Sequence, residues 1–166
     1  MHQKEKEKEF ELLIKQHELL IFKVCAMYAS EAGDRQDLFQ EIVIQLWKAF
    51  KNFRGESKFS TWLYRVAINT AITRSRKEKK FIDLYDPASM PVQISDVNNS
   101  IEQEEQLQQL YLSIGQLNEI EKAITMLYLE DRSYEEMSNI LGISEGTLRV
   151  KMNRIKEKLR QMTKNN

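Results

Sequence analysis

This chain of 166 residues has one cysteine, two histidines, two prolines and five glycines, so it is poor in the residue types that build disulfide frameworks, metal centres and phosphate loops. Cys25 lies inside the apolar stretch from Leu19 to Cys25, where a small buried side chain fits better than a redox or nucleophilic thiol. His2 and His17 join no Cys/His cluster with zinc-like spacing, so no metal is expected. Gly55, Gly115, Gly142 and Gly146 are scattered at turns and near helix starts. No glycine-rich phosphate loop forms, and no cofactor is expected. Acidic neighbours such as Glu104-Glu105 and Glu135-Glu136 fall in helical patterns without a paired acid/base arrangement, which points away from an enzyme. No long apolar run or secretory signal occurs, so no direct membrane insertion is expected and a cytoplasmic location is the simplest fit. A formal net charge of 0 excludes a surface uniformly coated for nucleic acid. Charge is sorted locally instead, and the alternating run from Lys4 to Glu11 reads as a helical surface or a frayed terminus.

What is present concentrates at the C-terminal end. Ser133 can cap a short helix, with Glu136 at the third position completing a capping box, and Met137, Ile140 and Leu141 give that helix an apolar face. Gly142 is placed to end it in the left-handed conformation, and Ser144 to cap the next helix. There Leu148, Met152, Ile155, Leu159 and Met162 recur at intervals of four and three, while Arg149, Asn153, Lys156 and Arg160 project from another side. From Ser144 onward seven Lys or Arg oppose only Glu145 and Glu157. Two helices at a fixed corner, the second basic, suit a helix-turn-helix that enters a major groove. A solvated charged face is the plainer alternative.

The remainder predicts an all-α protein of two small helical modules, over 5–81 and 101–163, joined by an irregular linker over 82–100 that holds Pro87 and Pro91. In the first module, residues near 5 to 30 carry Phe10, Leu13, Ile14, His17, Leu20, Ile21, Val24, Cys25 and Tyr28 on one broad apolar side. His17 is an edge-of-core side chain on this reading. Asp34 and Asp37 open a second helix running through Phe50, and a third begins near Ser60 with Leu63, Val66, Ala67 and Ala71 inward. In the second module the expected buried set is Leu107, Leu110, Ile114, Leu117, Ile124, Leu127, Met137, Ile140, Leu148 and Ile155, with an Asn118/Glu121 capping box.

Between Lys48 and Lys80, ten Lys or Arg face only Glu56 and Glu78, with Trp47, Phe50, Phe53, Phe59, Trp62 and Tyr64 interleaved. These rings can be core. The loop from Asn52 to Phe59 nevertheless brings aromatic, cationic and small polar groups together, a combination suited to unstacked bases. Arg65, Asn69 and Arg76 follow along one side of the next helix, with Arg74, Lys77, Lys79 and Lys80 extending the basic surface.

Asp37-Leu38-Phe39-Gln40-Glu41 through Trp47, then Phe53-Arg54-Gly55-Glu56-Ser57-Lys58-Phe59 through Ala71, resembles region two of the bacterial sigma-70 family of initiation factors. Leu117 through Arg160, with Gly146-Thr147-Leu148-Arg149-Val150-Lys151-Met152-Asn153-Arg154, resembles region four. The pair of regions in this order is similar to the small extracytoplasmic-function group, and the match covers most of residues 10 to 160. The resemblance implies that Asp37, Gln40, Glu41 and Trp47 dock on the beta-prime clamp helices of RNA polymerase core, with the beta flap a further contact. It implies that Phe53, Arg54, Ser57, Lys58, Phe59, Arg65, Asn69 and Arg76 hold the minus-ten element of promoter DNA. It also implies that Ser144, Glu145, Thr147, Arg149, Lys151, Asn153 and Arg154 clamp or read the minus-35 duplex, and that an anti-sigma factor regulates the chain. Val150 and Lys151 stand where a serine and an arginine are frequent, and Ile68 and Thr73 where polar or charged residues are common, which leaves base preference open. Lys151 keeps the cation but loses the bidentate fork of arginine. A polymerase-independent helix-turn-helix regulator would explain the C-terminal helix but not the Asp37-to-Asn69 constellation. A protein-binding helical adaptor would use neither DNA surface.

Overall fold

The computed structural model describes residues 2–82 and 101–164, the side chains of 79–82, 101–104 and 107 excepted. Among the described residues there are eight helices and no strand. The expected irregular linker, beyond Ile82, and the expected burial of Leu107 lie outside the described residues. The chain divides into two units, Met1–Tyr85 and Asp86–Asn166, each described by itself. No described helix is long and apolar enough to cross a membrane.

The first unit contains α1 (His2–Gln16), α2 (Glu18–Tyr28), α3 (Ala32–Phe50) and α4 (Phe59–Ile82). One continuous apolar side is expected over residues 5 to 30, but the helix breaks at His17, whose φ is −115°. The His17 Nδ1 sits 2.9 Å from the Leu13 carbonyl, a contact in which the ring nitrogen donates. Its backbone N–H is shared between Leu13 and Ile14. The break lets α1 bury Phe10 on its own line, while α2 turns Ile21, Val24 and Cys25 inward. Leu13, Ile14, Leu20 and Tyr28 are only half-buried.

Helix α3 starts two residues before Asp34, without a side-chain cap, and Asp34 in its first turn favours the positive end of the helix dipole. Leu38, Ile42 and Leu46 follow at intervals of four and are buried against α2 and α4. Helix α4 buries Leu63, Tyr64, Ala67, Ile68, Ala71 and Ile72. Val66, expected inward, lies outside that stripe and is half-buried. Ile68, at a position where polar or charged residues are expected to be common, is 1% exposed and belongs to the core. Each such fully buried Leu or Ile contributes about 1.5–3 kcal/mol relative to exposure.

The second unit contains α5 (Ile101–Gly115), α6 (Glu119–Leu129), α7 (Tyr134–Leu141) and α8 (Glu145–Lys164). Helix α8 packs against the other three. Its Leu148, Met152 and Ile155 meet Ile114, Leu117, Ile124, Leu127, Met137 and Ile140 in one core of buried side chains. Leu110 and Leu141 remain half-buried, at the margin of the core and not inside it. Asn118 and Glu121 form the reciprocal capping box the sequence predicts. Two buried hydroxyls are satisfied within their own helices, Ser113 Oγ donating to the Gln109 carbonyl and Thr125 Oγ1 to that of Glu121, each at 2.8 Å.

Cys25 is 1% exposed. Burial pushes its thiol from an ordinary 9.0 up to about 11, against the weaker opposing pull of Arg74 and Arg35. Between those values the unfolded chain releases the thiol proton and the folded chain keeps it, so stability present below pH 9.0 is lost as pH rises toward about 11. Denaturant titrations followed by tryptophan emission should therefore show a loss of stability over this window that is larger in the native chain than in Cys25→Ala. Equal slopes would mean that the thiol is not held in its burial site.

Candidate nucleic-acid interface

The corner between α7 and α8 is built from local backbone chemistry. Ser133 Oγ accepts from the Glu136 N–H at 3.1 Å. The expected second half of that capping box is replaced, because the Glu136 carboxylate accepts from Arg132 Nη1 at 3.2 Å. Arg132 lies four residues before Glu136, close enough to claim the carboxylate that would otherwise reach back to the cap. Gly142 adopts φ +69° and donates its N–H to the Ser138 carbonyl at 2.8 Å. Ser144 then caps α8, accepting from the Thr147 N–H at 3.3 Å while its hydroxyl donates to Thr147 Oγ1 at 2.8 Å. The Thr147 hydroxyl is thus engaged at the helix start.

With Leu148, Met152 and Ile155 buried, the opposite side of α8 exposes Glu145, Thr147, Arg149, Val150, Asn153 and Arg154, with Ser144 also exposed just before it and Lys151 half-buried. The Arg149 guanidinium carbon lies 5.1 Å from the centre of the Tyr134 ring on α7. Such a contact stabilises by about 0.5–1 kcal/mol at an exposed site and restricts where the arginine points. Further along, Lys156 lies 4.7 Å over the Tyr128 ring and Lys158 pairs with Glu121 at 3.1 Å. These two cations tie α8 to α6, while Arg149 and Arg154 in the first half and Arg160 and Lys164 further along are exposed.

In the first unit, Asp37, Gln40 and Glu41 line the outer side of α3, with Asp37 and Gln40 exposed and Glu41 half-buried. Arg74 of α4 reaches Asp37 at 3.9 Å, Glu41 at 3.6 Å and Glu78 at 3.1 Å. The sequence places Arg74 on the basic surface, but the packing of α4 along α3 turns it into the counter-ion of the acidic edge. Exposed pairs of this kind contribute about 0–1 kcal/mol each, so an incoming cation can exchange with it. Trp47 is half-buried, 5.0 Å from the Phe10 ring and 6.4 Å from that of Phe50.

The loop joining α3 to α4 turns at Gly55, φ +73°, and is held by rings. Phe53 lies 5.0 Å from Trp62, 5.7 Å from Phe59 and 6.4 Å from Phe50, and Phe59 also meets His17 at 4.9 Å. Core and surface roles therefore coincide, since Phe53, Phe59 and Trp62 are half-buried in a cluster that also shapes the loop. Arg54 and Lys58 are exposed at its rim and Ser57 is half-buried. On α4, Arg65, Asn69 and Arg76 are exposed and share a side at helical spacing, with Asn69 and Arg76 about 10 Å apart along the axis. The sequence-predicted residues thus gather at three places: the α3 edge, the aromatic loop with its α4 continuation, and the outward face of α8.

Three participants were not apparent from sequence. Arg74 as counter-ion requires the register of α4 on α3. Tyr134 beneath Arg149 requires the angle of the α7–α8 corner. The tilted contact of His17 with Phe59 requires the break between α1 and α2.

Residues 13–81 match the family profile of Sigma-70 region 2, and residues 107–159 that of Sigma-70, region 4. The chain is 31% identical over 166 residues to the ECF RNA polymerase sigma-E factor of Escherichia coli (strain K12), covering 93% of this chain and 86% of that protein. It is 29% identical to the RNA polymerase sigma-H factor of Pseudomonas aeruginosa, covering 89% and 82%. Among solved structures, the sigma factor RpoE in complex with the anti-sigma factor NepR from Bartonella quintana aligns with a TM-score of 0.77 at 19% identity, covering 95% of this chain and 98% of that one. CnrH in complex with the cytosolic domain of CnrY aligns with a TM-score of 0.69 at 17% identity, covering 96% and 90%.

Adding a Cβ at Gly142 would meet no atom within 4 Å, so backbone strain at φ +69° is the whole penalty of a larger residue there. Gly142→Ala should destabilise the second unit by about 1–2 kcal/mol. Both tryptophans lie in the first unit. Helical ellipticity should therefore begin to fall at lower denaturant while the midpoint seen by tryptophan emission stays unchanged; a shift in emission would contradict independent local packing at this corner.

Proposed function

The chain belongs to the sigma-70 family, in its extracytoplasmic-function group, and on that premise we propose that it brings RNA polymerase core to promoters by holding a minus-ten element with its first unit and a minus-35 duplex with its second. The observation that carries this reading is the outward face of α8, where Arg149 is oriented over Tyr134 beyond the left-handed Gly142 corner. On this reading 5–81 is the region-two module, 82–100 the linker and 101–163 the region-four module.

Core polymerase supplies nucleotide-transfer chemistry, and this chain supplies position. Asp37, Gln40, Glu41 and Trp47 form the docking edge for the beta-prime clamp helices. Arg74 keeps Asp37 and Glu41 compensated until basic partner side chains replace it. Region four adds the beta flap as a second contact on core.

At the minus-ten element, Phe53 and Phe59 offer ring surface to an unstacked base, Ser57 a hydrogen-bonding group, and Arg54 and Lys58 cations for the adjoining phosphates. Arg65, Asn69 and Arg76 continue that track along α4. Extruding a base costs a few kcal/mol, which these contacts offset. At the minus-35 element, Arg149 and Asn153 have the donors to read base edges, and Glu145 can accept from cytosine. Ser144, Thr147, Lys151 and Arg154 bear on the phosphates. Two contacts on one chain raise the effective concentration of the second once the first has formed. An anti-sigma factor, like the one that accompanies the Bartonella quintana relative, covers these surfaces in the cytoplasm until the chain is needed.

Run-off transcription over a genomic library should give defined transcripts only when core polymerase and this chain are both present. Selective duplex binding without core would favour a polymerase-independent regulator instead. Arg149→Ala should weaken binding of the upstream duplex by about tenfold or more and leave association with core unchanged; an equal loss of core affinity would remove Arg149 from the DNA face. Conversely, Asp37→Lys combined with Glu41→Lys should impair core association in a direct titration. Unchanged affinity would dismiss the α3 edge as the docking surface.

A further inference from the structure

Val150 is 50% exposed and is the one large apolar side chain of α8 that is exposed. At about 100° per residue it stands nearly opposite the buried line of Leu148, Met152 and Ile155, so it occupies the middle of the outward face. One turn before it is Gly146, where even an added Cβ would meet nothing within 4 Å. One turn after it are Asn153 and Arg154, both exposed. The isopropyl group therefore projects between polar flanks from the ridge of the helix.

A single exposed valine is ordinary on a protein surface, but this one lies on the face that loses water if α8 enters a groove. Whatever base edge then meets Val150 cannot form a hydrogen bond with it. A guanine O6 or N7, or a cytosine or adenine amino group, pressed against the isopropyl group would lose its bond to water without a replacement, a loss that selects against those edges. The major groove presents one apolar base group, the C5-methyl of thymine.

We infer that Val150 is a specificity-determining residue of the second unit, which selects thymine at one position of the upstream duplex by packing against its C5-methyl. The inference rests on the reading of α8 as the duplex-contacting helix and adds the base preference that reading leaves open. Arg149 and Asn153 supply directional bonds on one flank, while Val150 supplies shape and dryness at the centre. The preference follows from exclusion as much as attraction, since the valine offers nothing to a polar edge.

The test removes one methyl group at a time. The full chain with core polymerase is used to select promoter duplexes from a pool randomised in the upstream element. Each thymine of the selected element is then replaced singly by deoxyuridine, on either strand, and competition binding is measured for the native chain and for Val150→Ser. One replacement should weaken the native complex by about fourfold, the effect expected for one buried methyl, and leave the Val150→Ser complex unchanged. Circular dichroism should show the variant to be as helical as the native chain, since the side chain is exposed and the two residues have similar helix propensity.

Deoxyuridine effects of equal size in both proteins, or a selected element without thymine, would overturn the inference while leaving the DNA-binding role of α8 intact. In that case Val150 lies against sugar or solvent. Failure of the native chain with competent core to select any duplex would remove the DNA-binding role of α8, and the role of Val150 with it.

Discussion

Each unit has a long basic helix that must serve two masters, because a cylinder has a single circumference. Helix α4 and helix α8 each bury one stripe to hold their unit together and turn the rest outward. With roughly 80 residues per unit, a small core cannot spare such a helix for surface work alone. The periodicity that satisfies packing therefore also decides which residues face outward. Leu148, Met152 and Ile155 fix the rotation of α8, and by doing so they present Arg149, Val150 and Asn153 together. Leu63, Ala67 and Ala71 do the same for Arg65, Asn69 and Arg76.

Features whose physics is local were legible in the sequence. Gly142, Ser144 and the Asn118/Glu121 box act within four residues of themselves, so composition and spacing suffice to place them. The heptad-like stripe of α8 and the order of helices were likewise readable. Where two local contacts compete, the sequence is a poorer guide: Glu136 can close a cap or pair with Arg132, and the structure has the ion pair. The break at His17 has the same origin, because a side chain that bonds its own preceding turn offers the backbone an alternative to a continuous helix. Ile68 shows a different limit. Set beside a family pattern it stands where a polar or charged residue is common, yet its isoleucine is buried beside Tyr64 and Ala71, and only packing against α2 and α3 reveals that.

Electrostatics obeys the same division. A formal net charge of 0 conceals strong local sorting, and the sequence locates the basic segments. It does not show which cations are already compensated. Arg74 serves Asp37, Glu41 and Glu78, Lys158 serves Glu121, and Lys156 rests on Tyr128. Counting charge along α8 therefore overstates the uncompensated charge that the helix presents. The first half carries the exposed Arg149 and Arg154, and it is the half that follows the Gly142 corner.

Arg149 draws these strands together. An arginine loses rotamer freedom when it binds, a penalty of roughly 0.5–1.5 kcal/mol for a side chain of this kind. Contact with the Tyr134 ring removes part of that freedom beforehand and leaves the guanidinium donors available at the rim, since a cation over a ring face uses no hydrogen bond. The ring is in place because Tyr134 opens α7 immediately after the Ser133 cap, and its distance from Arg149 is set by the left-handed turn at Gly142. On the proposed reading of Arg149 as a duplex contact, a substitution at the cap or the turn would thus alter recognition without touching a contact residue. The corner and the arginine form one unit, in which local backbone geometry both stabilises the fold and orients an outward-facing guanidinium.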